Sequence, residues 1–276
     1  LFNREMSKDI LPLSLLFPPV LISILGGQNT ALTMFLLSAS ALLLRSEKGK
    51  IQLFAGIVSA LILYKPQFGL MIAFPLMLVT TSYFRIGYLL SSLALILLSF
   101  YVSGVDWPGS WLELARVFAP ENFKVNGPMM YSINSLGYWI DSYFGLKGIF
   151  QWIAVVVSLS VYAALVIIFT LKVHQRSLSV SEGVIYLAAG ITVLSPQTLF
   201  YDLGIMSPVL FYIASNSKRG LLFFIVVAVF TLLAFHLRDL GLPLFSILAV
   251  PLLMAVFQIL IRRSSSVSFL HREHGF

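Results

Sequence analysis

The stretch GIFQWIAVVVSLSVYAALVIIFTLK, Gly148 to Lys172, runs 25 residues with no charged side chain before its last position. A helix apolar on every side is either the centre of a large core or a membrane span, and about 20 apolar residues are what a helix needs to cross the hydrocarbon layer. The fold is therefore read in lipid. Working outward, similar runs recur at about 10–26, 29–44, 51–64, 67–82, 87–104, 183–198, 203–216, 220–236 and 241–261. The chain is 59% hydrophobic and 11% charged, against roughly 25% charged in a soluble domain. It reads as all-α: a polytopic transmembrane helical bundle of about ten spans, one domain over 1–276 with no length left for a soluble one. The run at 51–64 and the pair flanking Ser195 to Asp202 are short for a crossing, which points to broken or re-entrant segments there.

A net charge of +7 raises nucleic acid as a partner, but its distribution argues for a bilayer instead. Assigning the loops alternately to two sides puts Lys65, Arg116, Lys124, Lys147 and Arg238 on one side and the other 13 of the 18 cations opposite. The cation-rich side is then cytoplasmic, both ends of the chain lie there, and the opposite face is external. The protein is expected in the cell membrane, with lipid and no nucleic acid as its surroundings. With no Cys, disulfides and thiol chemistry are excluded, and the four scattered His give no metal site.

The long polar interval, 105–147, falls on the external side. Within it Trp111, Leu114, Ala115 and Phe118 share one helical face, suited to lying in the interface. The same alternation gathers the unusual polar groups externally: Gln28 and Asn29, Lys65 and Gln67, the 105–147 interval, Ser195 to Asp202, and Arg238 with Asp239. The cytoplasmic loops are plain connectors by comparison. A site at the external boundary follows.

Each motif carries a plain reading beside a functional one. Gly26-Gly27-Gln28-Asn29 makes a tight hairpin with Asn29 capping the next helix, or presents the Gln28 amide to a hydroxyl-rich ligand. Lys65-Pro66-Gln67 is more specific. A Lys that only anchors a helix has no need of the Pro that redirects the chain, and a fixed ammonium at this boundary suits a lipid phosphate. Arg238 is a second such cation, with Asp239 beside it to neutralise it. Asn134 and Ser135 lie at a turn and helix start, within Ser132 to Gly137. Gln197, Tyr201 and Asp202 lie in a Pro-broken apolar segment, where polar groups are costly unless they line a cavity.

In this order and spacing, Gly27-Gln28-x-Thr30, Lys65-Pro66-Gln67, Asn134-Ser135-x-Gly137 and Ser195-Pro196 followed by Tyr201-Asp202 resemble the landmarks of glycosyltransferase family 87. Its members are GT-C-like membrane enzymes, among them mannosyl- and arabinosyltransferases of the cell envelope. The resemblance extends over about residues 10 to 262. It implies inverting transfer of a hexosyl or pentosyl unit from a polyprenyl-phosphate sugar donor to a glycan or glycolipid acceptor at the external face. Such a leaving group needs no nucleotide, no obligatory metal and no cofactor. Together with the external polar groups read above, it gives the expected substrate-binding residues as Gln28, Asn29, Lys65, Gln67, Asn134, Ser135, Gln197, Tyr201, Asp202 and Arg238. Two departures stand out. Tyr201-Asp202 replaces a His pair of many relatives, and no carboxylate occupies the first external junction, where such enzymes carry the catalytic base. That base is expected upstream of Leu1, the alternative being an inactive paralogue. A transporter or flippase also builds sites from broken helices, but alternating access calls for polar gates on both faces.

Overall fold

The structure, a computed structural model, describes residues 17–126, 129–195, 198–216 and 218–273. The regular elements are α1 (Pro18–Leu25), α2 (Thr30–Leu43), α3 (Gly49–Ala60), α4 (Pro66–Val79), α5 (Ser82–Ser103), α6 (Trp107–Asn126) and α7 (Ile133–Phe144). There follow α8 (Ile149–His174), α9 (Val180–Leu194), α10 (Ser207–Asn216), α11 (Lys218–His236) and α12 (Leu244–Glu273). Three 3-10 turns interleave, at Leu61–Tyr64, Phe200–Met206 and Arg238–Leu240. Among the described residues there is no strand, and a bridge between Met130 and Leu199 is the one piece of β pairing.

The bundle is all-helical as expected, and the count of about ten crossings is not confirmed. Among the described residues four helices are long and apolar enough to span: α5, α8, α11 and Leu244–Ile261 of α12. The pair α1 and α2 passes only as a unit, bent by 112° at the Gly26–Asn29 break, which makes five at most. The remaining apolar helices, Gly49–Tyr64, Pro66–Val79, Val180–Leu194 and Phe200–Ala214, have 10–17 residues. At about 1.5 Å per residue they fall short of a core roughly 30 Å thick.

The short helices are the inner ones. Ser179 opens α9 by accepting from the Glu182 amide (3.2 Å) while Glu182 reaches back to the Ser179 amide (3.4 Å). Of its 15 residues, 12 are buried, so α9 is the axis on which α2, α4, α8 and α12 pack. By contrast α5 turns Leu89, Leu90, Leu93, Ile96, Leu97 and Leu98 outward, a surface that needs lipid against it. Its inner contact is with α3. A Cβ on Gly56 would stand 2.1 Å from the Phe84 carbonyl oxygen, and one on Gly87 2.1 Å from that of Leu53. Only glycines let the two backbones touch in this way.

The 105–147 interval is two helices rather than a loop. Along α6, Trp111 and Leu114 are exposed as an interface would require, but so are Leu112 and Val117; the side chains of Ala115 and Phe118 lie outside the described residues. α7 belongs to the bundle and docks on α8, where Asp141 accepts from the Phe150 (3.0 Å) and Gln151 (2.7 Å) amides. A carboxylate at a helix start meets both the open N–H groups and the positive dipole end. Asp141 is therefore a structural clasp.

Candidate functional site

Three separated segments meet at one carboxylate. Asp202, in the 3-10 turn after α9, accepts through Oδ1 from Lys65 Nζ (2.7 Å) and from the Thr30 hydroxyl (2.5 Å). Its Oδ2 accepts from the Leu199 amide (3.3 Å), closing the turn on itself. The group is closed to solvent: side-chain exposure is 15% for Lys65 and 5% for Asp202, and Thr30 is fully buried. A charge pair this deep is tolerable because every oxygen of the carboxylate has a donor.

The backbone explains how Lys65 arrives there. The last turn of the Gly49–Tyr64 helix tightens to 3-10, and Lys65 takes φ −111°, ψ 84°, the extended-side conformation forced on a residue before proline. Pro66 then starts α4. Gly69 permits the sharp return, since a Cβ there would meet the Leu63 backbone at 2.8 Å. The ammonium also lies 5.9 Å from the Phe68 ring centroid.

Around the pair, Thr33 and Tyr64 share a hydrogen bond of 2.5 Å and the Tyr64 hydroxyl donates to the Asn29 carbonyl (2.6 Å). Asn29 precedes α2 but does not cap it: its backbone is already helical (φ −62°, ψ −11°), which keeps the side chain from the first amides. It contributes its carbonyl instead. Gln28, half-buried, bends back toward the Gly26 carbonyl at 3.5 Å, and Gln67 sits half-buried on the first turn of α4. Tyr201 is half-buried next to Asp202, while Gln197 lies outside the described residues.

A second polar group adjoins the first. Ser132 and Ser135 cap α7 reciprocally, and the Ser135 hydroxyl lies 2.8 Å from that of Ser246 on α12. Asn134 donates to the Leu194 carbonyl (3.0 Å) and the Ser158 hydroxyl (3.2 Å). The Tyr131 amide donates to the Thr198 carbonyl (3.2 Å), tying this group to the turn that carries Asp202. Burial first, and the Asp202 charge second, push the Tyr131 phenol well above the usual tyrosine range. Thr192 opposes this weakly, since its hydroxyl is donated to the Ala189 carbonyl (2.6 Å) and makes no well-formed bond to the phenol. Three buried oxygens here, the Tyr131 hydroxyl, Asn134 Oδ1 and the Ser195 hydroxyl, have no partner. Arg238 stands apart, half-exposed, 3.6 Å from Asp239 and stacked 4.4 Å from the Phe235 ring. Its Phe235 neighbour packs on Phe200 of the Asp202 turn, the rings 5.0 Å apart.

The structure thus joins Lys65 to Asp202, ties Asn134 to Ser158 and Ser135 to Ser246, and leaves Arg238 outside. Thr30, Thr33 and Tyr64 complete the inner group without having been singled out as site residues. Thr30 and Thr33 are one helical turn apart, and Tyr64 adjoins Lys65, which is the pattern that marks them in hindsight.

A glycosyltransferase family 87 model matches residues 4–196, well over half of the chain. The chain belongs to glycosyltransferase family 87. No curated protein and no solved structure matches it. Family membership makes it a membrane glycosyltransferase by kind, acting between a sugar donor and an acceptor. The matched stretch holds Thr30, Lys65, Asn134 and Ser135 and stops six residues short of Asp202.

Proposed function

We propose that this chain is the core of a family 87 enzyme that moves a hexosyl or pentosyl unit from a polyprenyl-phosphate sugar to a cell-envelope glycan or glycolipid. Transfer takes place at the external face of the cell membrane, with both ends of the chain cytoplasmic in a GT-C-like bundle. The family match carries the reading, and the meeting of Thr30, Lys65 and Asp202 supports it.

Lys65 is the donor-phosphate residue. In the reaction the acceptor oxygen attacks the anomeric carbon from the face opposite the phosphate, its proton passes to a carboxylate base, and the C–O bond to phosphate breaks with its electron pair. A dehydrated cation beside the departing phosphate takes up that growing charge. Asp202 is a positioning residue: committed to Lys65, Thr30 and the Leu199 amide, it aims the ammonium and screens it until the donor arrives. The buried oxygens of Asn134 and Ser195 accept hydroxyls of the sugar.

Membranes holding the full-length gene product, supplied with radiolabelled polyprenyl-phosphate mannose or arabinose and an envelope glycolipid fraction, are expected to yield labelled glycolipid and free polyprenyl phosphate. Consumption of neither donor by well-expressed protein would exclude the assignment of donor class.

A further inference from the structure

At the end of the bundle away from Lys65 the structure encloses an open cleft of about 580 Å³. Its lining comes from the α2–α3 connection (Leu44, Arg45, Ser46, Glu47), the α4–α5 junction and the start of α9. Gln52 also lines it; 13 residues of helix and turn separate Gln52 from Lys65, about 20 Å along the axis.

Three polar groups in this cleft, Arg45, Ser46 and Thr81, keep donors to offer, while Gln52 already donates to the Ser46 carbonyl. The Arg45 guanidinium is exposed and forms no ion pair among the described residues, with Glu47 included. The Ser46 hydroxyl accepts from the Lys48 amide (3.3 Å) and that of Thr81 from the Phe84 amide (3.4 Å), so each has its own proton left to give. By contrast Thr80, Ser179 and Ser181 already donate, to the Leu76 carbonyl, Glu182 and the Ala41 carbonyl. Exposed Lys48, Lys50 and Arg85 stand next to the lining in sequence and raise the local potential, while Glu47 opposes them. A planar guanidinium and two hydroxyl donors lining one cleft suit the oxygens of a phosphate.

We infer that this cleft holds a phosphate group. Two sources share that chemistry, the headgroup of an anionic lipid and free phosphate. The lipid source is the better supplied, because Leu42, Leu78 and Ile86, within a turn or so of the lining, are exposed apolar residues placed for acyl chains.

Thermal unfolding of the purified chain in neutral detergent separates the possibilities, with dioleoylphosphatidylglycerol, dioleoylphosphatidylcholine and inorganic phosphate as probes. The anionic lipid is expected to raise the midpoint by about 5 °C near saturation. Arg45→Ala should abolish that shift, Glu47→Gln should reach it at lower lipid, and Arg219→Ala, an exposed cation outside the cleft, should keep it. An Arg45-dependent shift with phosphatidylglycerol alone assigns the lipid headgroup; the same shift with inorganic phosphate assigns the free anion. No shift with either probe, a shift equal in the Arg45→Ala protein, or an equal response to phosphatidylcholine would overturn the site.

Discussion

Lys65 Nζ lies 2.7 Å from Asp202 Oδ1, two residues 137 positions apart in the chain and both largely withdrawn from solvent. Removing one partner of a buried ion pair strands the other charge, whereas removing both leaves only a packing change. Lys65→Met and Asp202→Leu should therefore each destabilise by about 3–5 kcal/mol, and the double variant by clearly less than either. Thermal unfolding in one detergent checks the cycle. Additive losses would mean that the pair is not coupled.

Because Lys65→Ala also loses stability, charge-preserving Lys65→Arg is the cleaner probe of chemistry. The guanidinium keeps Asp202 company but spreads its charge over a wider fork. Transfer is expected to fall on the order of 10²–10³ at unchanged protein level. Full activity in the Arg variant would return Lys65 to the role of an interfacial anchor.

Thr30→Val removes one donor to a buried carboxylate while keeping the shape. A loss of about 1.5–3 kcal/mol is expected, with Thr30→Ser close to wild type. Equal unfolding midpoints for the Val and wild-type chains would show that the 2.5 Å contact does not hold Asp202 in place.

The sequence exposed the Lys65 and Asp202 ends of this site and concealed its middle. A Lys before a Pro, or an Asp among apolar residues, is conspicuous because it is expensive in lipid. Thr30 and Thr33 are not, since a hydroxyl in an apolar helix can bond its own preceding turn and needs no partner. Asn29 looked like a cap because nothing local reveals that its backbone is helical already. For the fold, hydropathy gave the helices, yet it could not separate a short buried helix such as α9 from a span, because both are apolar all round. The 105–147 interval was polar enough to pass for a loop. Its second helix, α7, hides its polar residues inside the bundle, where Ser135 meets Ser246 and Asp141 meets α8.

Asp141→Ala tests the view that this carboxylate is a clasp. Losing the cap on α8 should destabilise by about 0.5–2 kcal/mol, and transfer per folded molecule should not change. A selective loss of transfer would place Asp141 in the chemistry instead.

The chain has no Cys, so single cysteines report sidedness without background. Under the proposed orientation a membrane-impermeant maleimide should label Glu113→Cys on α6 from outside in intact cells and Glu47→Cys only after lysis. The reverse pattern would invert the topology and with it the face on which transfer occurs.

The close approach of α3 and α5 at Gly56 and Gly87 has a consequence for traffic. Two backbones in touch leave no gap for an isoprenoid tail at that level, so the seam between α3 and α5 is closed there to anything arriving sideways from the membrane. Under the proposed function, a polyprenyl-linked donor bound for Lys65 would have to enter elsewhere. A leucine at either glycine would wedge the seam apart, and the damage would fall on the route as well as on the wall.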